Sequence, residues 1–235
     1  MGKLDPVLVS RTPVTALGPL RRPAPAVIAV ALVVAAAIGL WYAGDPVAGR
    51  VDRRTESIVD SVTGDHLRAF AHLVQFGSPP AVVLWAALIC GAALVLRRPR
   101  HAVLAVVAPG LTGVATTALK PLVGRTVGDY GNAGYAYPSG HTGGATSVAL
   151  AAALLLIGLV PTRRAVAVAV VASAALVAGG AVGAGMVTIG AHYPTDTVGG
   201  FCLAVAIGLG TGLVIDRVAD RRAARPGRPP SRAPG

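Results

Sequence analysis

The chain has 235 residues, of which 54% are hydrophobic, 13% charged and 4% aromatic, with a mean hydropathy of +0.66. That leaves too little polar residue to cover a water-soluble globule, and the two cysteines, Cys90 and Cys202, lie inside apolar runs, which excludes a disulfide framework and a cysteine-rich zinc module. The net charge of +11 does not form a nucleic-acid patch, because the basic residues flank the apolar runs.

A bilayer core needs about 20 predominantly apolar residues per helix. Six such stretches follow one another, at roughly 25–43, 80–96, 101–119, 143–160, 165–185 and 197–215. They predict an all-α fold, a six-transmembrane-helix bundle over 25–216, with a cytoplasmic N-terminal segment at 1–24 and a tail at 217–235. The first stretch reads as an uncleaved span, since its polar lead is long and no small-x-small cleavage site follows. Between the first two spans, 44–79 is long for a bundle connection. Ile58, Val59, Val62, Leu67, Phe70, Leu73 and Val74 recur there at helical spacing, which predicts an amphipathic helix on the outer surface. Glycines crowd the later spans, for example Gly179, Gly180, Gly183, Gly185, Gly199, Gly200, Gly208 and Gly210, as close helix contact requires.

Orientation follows from Lys and Arg, which cytoplasmic loops retain. With six spans, the N-terminal segment, the 97–100 turn, the 163–164 turn and the tail share one side and hold 15 basic residues, against 6 on the other. Both termini are therefore expected in the cytoplasm. The Arg-, Pro- and Gly-rich tail lacks apolar periodicity and is expected to be disordered, its charge setting topology.

The informative polar residues then fall on the outer face: Lys120, Arg125 and the GDYGNAGYAYPSGHT loop, and AHYPTD before the last span. His66, His72 and His101 read as ordinary interfacial residues. His141 and His192 differ, because each opens a membrane helix from a Gly- or Pro-rich loop. His192 and Asp196 are four residues apart, so a helical turn puts them on one face, where the carboxylate can fix the imidazole tautomer and leave the other nitrogen free to attack. In Pro138-Ser139-Gly140-His141, glycine lets backbone N–H groups approach an anion and serine adds a hydroxyl donor at a helix N-terminus. Lys120 and Arg125 supply the positive charge that phosphoryl transfer needs. Tyr130, Tyr135, Tyr137 and Tyr193 cluster around these loops, as a candidate headgroup pocket or as an interfacial aromatic belt.

These residues resemble the type 2 phosphatidic acid phosphatase (PAP2) superfamily, whose membrane branch has six helices and an extracytoplasmic site. The resemblance covers roughly 80–215. The second motif, PSGH, stands at Pro138–His141, and the third motif's His-x-x-x-Asp at His192 and Asp196. The first motif's Arg-Pro would fall at Val127 and Gly128, and the third motif's Ser-Arg at Gly185 and Met186, so both phosphate-binding arginines are absent from their places. Arg125, two residues early, or an outer-loop arginine such as Arg68, is the candidate replacement.

The resemblance implies a metal-independent membrane phosphatase with no cofactor, the Ala, Gly, Val and Arg bias with almost no Lys points to a bacterial cytoplasmic membrane, and no nucleic-acid partner is expected. His192 would attack phosphorus, Asp196 orient it, His141 serve as acid and then base, and Lys120, Arg125, Ser139 and Gly140 hold the phosphate. A lipid phosphate, either a polyprenyl phosphate or diphosphate or a phosphatidate, is the expected substrate, with membrane lipids as the surroundings. A phosphotransferase using the same phosphohistidine, and a lipid-phosphate-binding scaffold without turnover, stay open as alternatives. A metal centre on His141, His192 and Asp196 fits less well, because no ligand pair as tight as His-Glu-x-x-His is present. Oligomeric state is not legible.

Overall fold

In the computed structural model, which describes residues 15–63, 66–128 and 134–224, every regular element is helical. In chain order these are α1 (Ala24–Trp41), α2 (Arg50–Thr63), α3 (Leu67–Val74), α4 (Pro79–Val95), α5 (Pro99–Val123), α6 (Gly140–Leu159), α7 (Arg164–Thr188) and α8 (Pro194–Ala223). Proline stands at the first or second position of α1, α4, α5 and α8, where its fixed φ suits the helix and its missing N–H goes unmissed. Ser139 caps α6, its Oγ accepting the Thr142 N–H at 3.4 Å. Gly124 ends α5 at φ +69°, a conformation that comes easily to glycine, and so delivers Arg125 to the outer end of the bundle.

Five helices, α1, α5, α6, α7 and α8, are long and apolar enough to cross a bilayer. Residues 69–77 and α4 together make a sixth candidate, bent by 60° at its break. The chain is a multi-pass membrane protein. α6 is the most buried span, packed against α4, α5, α7 and α8, and α1 is the least buried, lying along α8. Small residues permit this closeness: Gly143 of α6 faces Thr112 of α5 and the Gly200 carbonyl of α8, and Gly183 of α7 faces Thr197 of α8.

The outer connection holds two helices where the sequence predicts one. α2 crosses the outer ends of α8 and α7, with Asp52 bonded to Thr195 and the Thr63 hydroxyl 2.9 Å from that of Thr188. α3 lies along α7. Two other expectations need correcting, those for the tail and for His101. α8 continues through Arg217, Arg221 and Arg222, residues the sequence assigns to a disordered tail, because Asp216 and Asp220 tie that stretch to Arg100 and Arg21. Residues 15–22 dock on the bundle, with Leu17 fully buried against Gly212. His101 is buried against Gly158 and is no interfacial residue.

Asp216 holds the opposite end of the bundle together. Its buried carboxylate accepts the Ala16 and Leu17 N–H groups at 2.7 and 3.2 Å and Arg100 Nη1 at 3.0 Å. Breaking a buried ion pair by removing one partner costs about 3–5 kcal/mol, whereas a half-exposed pair such as Arg21–Asp220 contributes about 0–1 kcal/mol. Asp216→Ala is therefore expected to lower the thermal unfolding midpoint in detergent far more than Asp220→Ala. Equal shifts would remove Asp216 from this role.

Candidate active site

Four helix ends and one outer helix meet at the site. Lys120 sits three residues before the end of α5 and is half-buried. Gly140 and His141 are the first two residues of α6, so their amides have no acceptor within the helix and point to its N-terminal side. His192 precedes α8, and Asp196 lies in its first turn. His141 is near enough to His192 and Lys120 to feel the charge of each, and Lys120 to feel that of Asp196.

The two helix starts are tied to each other directly. The Ser139 N–H donates to the Asp196 carbonyl at 3.0 Å, and a Cβ on Gly200 would strike the Ser139 carbonyl. Gly77 allows the same closeness at His141, whose carbonyl packs against it. The Ser139 side chain is fully buried and hydrogen-bonded to Thr142. It acts as the cap of α6 in this arrangement.

Arg125 does not point into open space. It is wholly buried, with Nη1 donating to Asp196 Oδ1 at 2.7 Å and to Thr195 Oγ1 at 2.6 Å, and Nη2 donating to Asp52 Oδ2 at 2.7 Å. Its guanidinium carbon lies over the rings of both Tyr42 and Tyr193, 4.1 and 4.7 Å from the two centroids. Burial pushes both tyrosine hydroxyls up, with the Asp52 charge adding to the effect at Tyr42, so the rings that clamp the cation stay neutral. Asp52 Oδ1 accepts from the Thr195 N–H at 3.0 Å and its hydroxyl at 2.8 Å. The expected phosphate ligand is thus engaged by two carboxylates.

The His192–Asp196 pair meets, but loosely. Nδ1 stands 3.6 Å from Oδ2, beyond hydrogen-bond length, and has no partner, while Oδ2 accepts the Tyr193 N–H at 2.9 Å. Such contacts commonly tighten when substrate binds. Two of the tyrosines named for a headgroup pocket pack inside the protein. Tyr137 is buried between Gly39 and Gly199 with its hydroxyl on the Ala35 carbonyl, and the Tyr193 hydroxyl is bonded to the Pro46 carbonyl at 3.0 Å. Tyr135 is exposed; Tyr130 and the side chain of Arg68 lie outside the described residues.

The family model of the PAP2 superfamily matches residues 26–219. The chain belongs to the PAP2 superfamily. A solved structure, the transmembrane PAP2-type phosphatidylglycerolphosphate phosphatase from Bacillus subtilis, has a similar fold, with a TM-score of 0.60 and 18% identity over 87% of this chain and 98% of that one. No curated protein matches the chain. In this PAP2 protein the place of the third-motif arginine is filled for a physical reason. Met186 is buried in an apolar cluster with Val74, Ala145 and Val182, and a Cβ on Gly185 would strike Val74 and the Phe70 carbonyl, so both positions serve the docking of α3. Among the described residues no group of His, Cys, Asp and Glu is placed to hold a metal ion.

Sequence reasoning missed Asp52, Thr195 and Tyr42. Asp52 leaves one signal: it shares a helical face with Val59 and Thr63, seven and eleven residues on, an acid on the inward side of an amphipathic helix. Arg125→Gln would leave Asp52 and Asp196 buried without a counter-charge. It is expected to destabilise the protein by about 3–5 kcal/mol, read as thermal unfolding in detergent. A loss under about 1 kcal/mol, the level of a surface pair, would mean that the clamp is not formed in solution.

Proposed function

We propose that the protein is a lipid phosphate phosphatase that works at the extracytoplasmic membrane interface through a phosphohistidine. The observation that carries the reading is the convergence, at one end of the bundle, of Lys120, the Gly140 and His141 amides, His192 and Asp196, in a chain of the PAP2 superfamily. The arginine-rich opposite end, with Arg97, Arg98, Arg100, Arg163, Arg164 and Arg217, supports a cytoplasmic location for both termini.

In the first step His192 Nε2 attacks phosphorus as the bond from phosphorus to the leaving oxygen breaks, and His141 gives that oxygen its proton. Asp196 offsets the positive charge that forms on the imidazole. Water then attacks the phosphohistidine, His141 takes up the water's proton, and the P–N electron pair returns to His192, releasing phosphate. Lys120 and the α6 amides hold the phosphoryl oxygens, with the positive end of the helix aimed at them. Arg125 acts from behind Asp196. A site at headgroup depth suits polyprenyl phosphates, polyprenyl diphosphates and phosphatidate, whose tails stay in lipid.

Phosphate release from these lipids in detergent is expected to persist in EDTA and to vanish in His192→Ala, with the acid-labile phosphoenzyme lost as well. Lys120→Ala is expected to slow release about 10²- to 10³-fold, the usual effect of one electrostatic donor. The engagement of Arg125 by carboxylates favours a second reading, a scaffold that binds lipid phosphate without turning it over. Binding by folded wild-type protein with no release and no phosphoenzyme would select it.

A further inference from the structure

The outer helix α2 brings to the site a carboxylate for which the chemistry above has no use. Asp52 is fully buried, and both its oxygens are occupied: Oδ2 by Arg125 Nη2 at 2.7 Å and the Gly49 N–H at 3.2 Å, Oδ1 by the Thr195 N–H and hydroxyl. The bond to the Thr195 N–H caps α8 from outside its own chain segment, one residue before Asp196. The bond to Arg125 takes up one arm of the guanidinium whose other arm holds Asp196.

We infer that Asp52 is a positioning residue for His192, acting through Arg125 and Asp196: it fixes the turn that carries Asp196 and balances the cation that would otherwise neutralise it. The inference rests on the phosphohistidine reading for its catalytic consequence. An Arg125–Asp196 pair alone is neutral and gives little help to an imidazole becoming positive. With Asp52 the buried triad has one negative charge in excess, so the carboxylate beside His192 is no longer fully offset by Arg125. The other groups around this centre are His141 from α6, Lys120 from α5 within reach of His141 and Asp196, and Glu56, one turn beyond Asp52 on α2. Lys120 is the cation left to meet the phosphate among those the described site brings together.

The test uses the full chain in detergent micelles, with phosphatidate and a polyprenyl phosphate as substrates. Asp52→Asn keeps an acceptor for Thr195 and removes the charge opposite Arg125. It is expected to lower kcat roughly 10- to 100-fold, as misplacement of a reacting group does, with KM within about twofold. The double variant Asp52→Asn with Arg125→Gln removes both opposed charges and is expected to regain part of that loss. In ¹⁵N-histidine NMR, His192 of the wild type is expected as the Nδ1–H tautomer and that of Asp52→Asn as a mixture. An unchanged kcat would overturn the inference, as would a double variant worse than either single one with the tautomer unmoved, which is what a purely structural pin predicts. If Asp52→Asn does not fold, Asp52→Glu, which keeps the charge on a longer arm, should fold and still lose kcat, and full activity in it overturns the inference. Should the wild type release no phosphate, the phosphatase reading fails, and the tautomer alone decides for or against the role of Asp52.

Discussion

A guanidinium held out of water between two carboxylates is the constraint on which the site end of this bundle depends. Arg125, Asp52 and Asp196 come from the loop after α5, from α2 and from α8, and none is stable in the interior without the others. In this arrangement both carboxylates and both terminal nitrogens of Arg125 have partners, while its buried Nε has none. That arrangement sets the first turn of α8, and so the place of His192. The rings of Tyr42 and Tyr193 pack on the same cation.

The same constraint accounts for how the charge of the site is distributed. The family's motif arginines would stand at Val127 and Met186. Here Met186 is part of an apolar cluster that seats α3, and the Arg125 guanidinium is engaged by the carboxylates of Asp196 and Asp52. Glycine at 185 lets the α3 backbone lie close against α7, which an arginine-bearing turn would not allow so simply. In this chain positions 185 and 186 serve the docking of α3.

The opposite end of the bundle repeats the logic with a different charge. Asp216 gathers Arg100 and two backbone N–H groups of residues 16 and 17, so the segment before α1 becomes part of the bundle and α8 is held well past its apolar stretch. Both ends of α8 therefore carry a buried carboxylate that reaches across the chain, one at Asp196 and one at Asp216.

The sequence by itself determined the spans, their order and the family, because hydropathy over about 20 residues and motifs such as PSGH are local in the chain. It also marked Lys120, His141, His192 and Asp196 as helix-end residues that face one side. It did not determine what Arg125 does. Spacing from Lys120 makes Arg125 look like a phosphate ligand, and only the fold of α2 over α8, which brings Asp52 across 73 residues of chain, decides that the guanidinium has other partners. Nor could periodicity show that the outer connection is two helices, that Tyr137 and Tyr193 turn inward, or that His101 and Leu17 are buried. Those outcomes depend on which surfaces meet, and the pairing of a buried charge is a property of the contact between segments, carried by neither segment alone.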